Sequence, residues 1–86
     1  MSEPQPDIHT LRCIVACEGT NGPDLYFVKV QATQAEYDNG NHYTAAEKAA
    51  LEEGYERPMV AFDERDPGGR AMLGLFEWDS ASIVHA

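Results

Sequence analysis

Positive charge is what this sequence has least of. Six lysines and arginines stand against fifteen aspartates and glutamates in 86 residues, a formal net charge of −9 with histidine neutral. A field of that sign repels nucleic-acid phosphates and anionic membrane surfaces, and it favours basic partners or cations. Long apolar runs are missing as well. No run approaches the ~18 residues of a membrane span, and the opening MSEPQPD lacks the apolar stretch of a signal peptide. The expectation is a cytoplasmic protein that binds neither membrane nor nucleic acid directly. Cysteine occurs only at Cys13 and Cys17. On a strand rising ~3.3 Å per residue their Cα atoms stand ~13 Å apart, beyond the ~7 Å reach of a disulfide. Two free thiols on one face are expected, which suits a reducing compartment.

What is present suffices for one core. A content of 43% hydrophobic and 24% charged residues is ordinary for a globular chain and argues against wholesale disorder. A chain of this size buries only about 60% of its unfolded surface, so a single domain of modest stability is expected. That domain spans 8–86, behind a flexible tail over 1–7 that carries Pro4, Pro6, Glu3 and Asp7.

Alternation begins at Thr10. Leu11, Cys13, Val15 and Cys17 fall on one side and Arg12, Ile14 and Ala16 on the other, the period of a mostly buried strand. Glu18 to Asp24 concentrates Gly, Asn and Pro and reads as a turn. Leu25 to Thr33 resumes the alternation, with Tyr26, Val28, Val30 and Ala32 on the drier face, so the two runs should pair as an antiparallel hairpin. Thr33-Gln34-Ala35-Glu36 and Thr44-Ala45-Ala46-Glu47 both fit a capping box. They predict a short helix that ends at Asn39-Gly40-Asn41 and a second helix over about 45–53 that stops at Gly54. Its Ala45, Ala46, Ala49 and Ala50 form a stripe of small side chains that lets it lie close to a sheet. Met59 to Glu64 reads as a strand and Asp66-Pro67-Gly68-Gly69 as a turn. Arg70 to Trp78 reads as a central strand apolar on both faces, and Ser82 to His85 as a short edge strand. The predicted class is α+β in the order β-β-α-α-β-β, an antiparallel sheet of four or five strands with two short helices on one face.

No motif carries a reaction. His9, Cys13 and Cys17 are evenly spaced, but on a strand they lie too far apart to share one ion. Asp38-Asn39-Gly40-Asn41 and Asp63-Glu64-Arg65-Asp66 lack the ligand spacing of an EF-hand loop. Gly19-Thr20-Asn21-Gly22 lies between Glu18 and Asp24 with no cation beside it, the wrong sign for a phosphate clamp. The histidines, serines and thiols show no nucleophile elbow, and adjacent acids in exposed segments are usually solvated rather than poised as an acid–base pair. No cofactor, metal or catalytic residue is expected.

Surface recognition remains. Between Glu36 and Asp66 acids alternate with tyrosines, a composition suited to docking in a basic groove because charge steers encounter and aromatics anchor it. The candidate partner-binding residues are Glu36, Tyr37, Asp38, Tyr43, Glu52, Glu53, Tyr55, Glu56, Asp63, Glu64 and Asp66. The expectation is a small acidic interaction module, monomer or homodimer, that binds a basic protein. By analogy of size and charge it would act as an inhibitor, an immunity-type protein or a decoy for nucleic-acid charge. The alternative is a small-ligand-binding or enzymatic subunit whose cleft a second copy completes, lined by Tyr26, Phe76 and Trp78 with His42 or Asp63 as polar groups.

Overall fold

The computed structural model describes residues 8–75 and 82–86; the expected tail over 1–7 and both Phe76 and Trp78 lie outside them. Strands β1 (Ile8–Glu18) and β2 (Asp24–Thr33) form the expected antiparallel hairpin, with Leu11 opposite Val30, Cys13 opposite Val28 and Val15 opposite Tyr26. Burial follows the alternation seen in the sequence except at Ile14, which is fully buried on the opposite face. Leu11, Cys13, Val15, Cys17, Val28, Val30 and Ala32 are buried, and both cysteines are free thiols.

Helix α1 (Gln34–Asp38) starts at Thr33. The Glu36 N–H donates to the Thr33 hydroxyl at 3.2 Å and the Thr33 N–H donates to the Glu36 carboxylate at 2.8 Å, closing the predicted capping box. Helix α2 (Asn41–Glu52) departs from expectation at its start. Gly40, at φ 75°, breaks the chain between the helices, and α2 begins at once, so Thr44 lies inside its first turn and caps nothing. Glycine reaches that conformation without the Cβ clash other residues meet, and this local break decides the boundary over the second Thr-x-x-Glu pattern. The alanine stripe behaves as predicted: Ala46 and Ala50 pack with Cys13, Val15, Cys17, Val28 and Val30 in one core cluster.

Strand β3 (Glu56–Asp63) pairs antiparallel with β1 on its free side. It starts earlier than the sequence suggests, because a register shift between Ala16 and Glu18 accommodates Arg57, at φ 48°, and Pro58. A proline is tolerated there because β3 is an edge strand.

Two expectations are overturned. The segment from Pro67 to Leu73 is a helix, α3, not a turn over 66–69 followed from Arg70 by a central strand. Asp66 is its N-cap residue and Pro67 opens its first turn, where a missing N–H costs nothing. Ala71, Met72 and Leu73 are all good helix formers, and Gly69 and Leu73, one turn apart, are its buried residues. Gly74 is the C-cap of α3. The sheet is also mixed, not antiparallel. Strand β4 (Ser82–His85) is the expected edge strand, but it runs parallel to β2, with Val28 opposite Ser82 and Val30 opposite Val84. The order β3-β1-β2-β4 puts the hairpin, not the fourth predicted strand, at the centre. The molecule is α+β, with four strands and three helices among the described residues.

Candidate functional site

The predicted acid–tyrosine set does not form one surface. Tyr37 is buried, packs with Leu11 and Ala32, and donates its hydroxyl to the carbonyl of His9. Glu36 is held in the α1 cap. Glu64 is clamped by Arg12: its Oε1 accepts from Nε at 3.2 Å and from Nη2 at 3.0 Å, and its Oε2 accepts from the Arg12 backbone N–H at 3.1 Å. Asp38 pairs at 3.4 Å with Arg65 and accepts from the Gln34 amide at 3.0 Å. Asp66 is exposed at the start of α3.

Asp63 is only 1% exposed. Its Oδ1 accepts the Arg65 N–H at 2.6 Å, and its Oδ2 lies 3.4 Å from Nε2 of His42, which is also 1% exposed. Burial alone would raise the Asp63 pKa, but hydrogen bonds from Tyr43, the Arg65 backbone and His42 together hold it below the usual carboxylate value. Hydrogen bonding to that carboxylate, then burial, pushes the Tyr43 phenol up to about 12. The His42 ring stands edge-on to Tyr37 at 5.1 Å and close to Tyr43 at 4.1 Å. Cys13, cross-strand from Asp63, has its pKa pushed up to about 12 by burial first and by Asp63 and Glu64 second. A thiol held protonated is a poor nucleophile, so His42, Asp63 and Cys13 form a packed polar centre without a reactive thiolate.

The rest of the predicted set gathers at one end. Cross-strand pairing puts Glu18 beside Glu56, while Cys17 faces Asp24. Glu52 and Glu53 end α2 and lie close enough to Tyr26 to raise its pKa, though burial raises it more. The Tyr26 and Tyr55 rings meet at 5.2 Å, and Glu18, Asp24, Tyr55 and Glu56 line a shallow cleft of about 390 Å³. The C-terminal end of the α2 dipole adds negative potential at the same end. Among the described residues its one cation is Arg57, 3.1 Å from Glu18 and highly exposed. Among the described residues no three His, Cys, Asp or Glu side chains come together as metal ligands, so these acids present a broad negative surface rather than a chelate. Sequence reasoning missed Glu18 and Asp24. Both flank the Gly-rich turn, but only the β1–β3 pairing reveals that they join Glu56.

Compared with known proteins, the chain matches no family model, no curated protein and no solved structure. No helix among the described residues is long and apolar enough to cross a membrane. Of the alternative cleft, Tyr26 packs on Tyr55 while His42 and Asp63 are buried elsewhere, around α2 and the end of β3.

Proposed function

We propose that this protein is a non-enzymatic interaction module that docks a basic protein segment through the end formed by the β1–β2 turn, the C-terminus of α2 and the start of β3. The observation that carries this reading is the grouping of Glu18, Asp24, Glu52, Glu53 and Glu56 around the Tyr26–Tyr55 pair, with Arg57 as the local cation. Carboxylates on a broad surface attract lysines and arginines at a distance, and a half-buried Tyr55 supplies a firm aromatic contact at short range. A module of this kind can occupy a basic groove in place of an acidic ligand, including a nucleic-acid backbone.

The test is binding of a fluorescent oligo-lysine peptide by anisotropy at low and high salt. The triple change Glu52→Lys, Glu53→Lys and Glu56→Lys should weaken binding by about tenfold or more, because each reversal replaces a weak surface attraction with repulsion. The triple change Asp38→Lys, Glu47→Lys and Asp66→Lys alters net charge equally and should have a much smaller effect. Arg57→Ala should tighten binding. Equal loss from both triple variants would mean that overall charge alone attracts the peptide, and the docking end would be abandoned.

A further inference from the structure

Cations are rare in this chain, yet three of its six lysines and arginines, Arg12, Arg65 and Arg70, sit together at the opposite end of β1. There the first residues of β1, helix α1, the β3–α3 connection and Arg70 of α3 line an open cleft of about 420 Å³. We propose that this cleft binds a small organic anion, a flat-bodied phosphate monoester or carboxylate, through the guanidinium groups of Arg65 and Arg70.

The acids at the cleft are already engaged. Both Glu64 carboxylate oxygens accept hydrogen bonds from Arg12, so the Glu64 wall is neutralised. Asp38 meets Arg65 at 3.4 Å as an exposed pair, the kind of surface contact that an incoming anion displaces easily. Arg70 has no carboxylate partner among the described residues; its Nε–H donates to the Glu64 carbonyl at 3.4 Å, and the residue lines the cleft. The positions are fixed from below. The Arg65 backbone is tied to buried Asp63, its guanidinium carbon lies 5.7 Å from the Tyr37 ring centre, and the His9 and Tyr37 rings are 5.6 Å apart. Planar guanidinium forks match the paired oxygens of phosphate and carboxylate, and an aromatic floor suits a flat organic body. The volume falls within the range of about 300–1,000 Å³ typical of small-molecule sites.

The experiment is isothermal titration of the full chain with phenyl phosphate and, separately, with benzoate. Saturable binding of either probe is expected, and the tighter one names the head group. Arg70→Ala should weaken it about tenfold or more, the loss of one charge-assisted contact, while Arg70→Lys should restore part of it. Arg57→Ala, at the other end of β1, should leave the affinity unchanged. Because Arg70 is exposed, circular dichroism should show all three variants folded. No saturable heat with either probe, or equal affinity in Arg70→Ala, would overturn the assignment. The outcome is independent of oligo-lysine docking, which uses other residues.

Discussion

At Asp63 the strand period sets a carboxylate on the same face as Cys13 and Val28, so register buries a charge the sequence presents as one acid among many. The chain meets that cost with the Arg65 N–H, His42 and Tyr43, which together hold Asp63 below its ordinary 3.8. Linkage fixes the sign. A carboxylate depressed in the folded state contributes stability that is fully present above the unfolded value and is lost as pH falls through the folded one. Asp63→Ala should therefore cost about 1–3 kcal/mol near neutral pH by leaving buried donors unpaired. The gap from the parent should narrow below about pH 3.8. Urea unfolding across that range checks this, and parallel pH curves for the two proteins would contradict it. At this scale the sequence revealed which residues carry charge or aromatic rings but not which are buried. Tyr37 and Asp63 look like surface groups until Leu11, Ala32 and His42 are seen around them.

Between the elements, local signals were readable and long-range ones were not. The hairpin follows from two alternating runs about a Gly/Pro turn, and α1 from one Thr-x-x-Glu box that closes. The same box at Thr44 misplaced the start of α2 because Gly40 had already broken the chain. Helix α3 was read as a strand because Asp-Pro-Gly-Gly opens a turn as readily as it opens a helix. The parallel pairing of β4 with β2 leaves no short-range mark. The two glycines of α3 test its assignment. A Cβ on Gly69 would lie 2.2 Å from the Asp63 carbonyl oxygen, so Gly69→Ala should destabilise by about 1–3 kcal/mol. Nothing lies within 4 Å of a Cβ on Gly68, so Gly68→Ala should stabilise by about 0.4–1 kcal/mol through the unfolded chain. Thermal unfolding of the pair distinguishes the helix from a turn, in which the two changes would not diverge in sign.

Across the whole molecule, charge is divided along β1. From His9, at the cleft, to Glu18, at the acidic end, nine steps of strand span about 30 Å. That exceeds the ~8 Å Debye length at physiological salt several times over, so the two proposed sites should act on ligands of opposite sign with little mutual interference. Net charge in the sequence pointed to a basic partner but hid this polarity, since Arg12 lies far along the chain from Arg65 and Arg70 and meets them only through the β1–β3 pairing. The most direct test is a pair of amide NMR titrations of the ¹⁵N-labelled protein, one with oligo-lysine and one with phenyl phosphate. Oligo-lysine should shift residues of the β1–β2 turn, the end of α2 and the start of β3. Phenyl phosphate should shift His9, Tyr37, Arg65 and Arg70, and neither set should respond to the other ligand. Overlapping shifts, or shifts scattered over the surface with charge density, would contradict a molecule built with two separate ends.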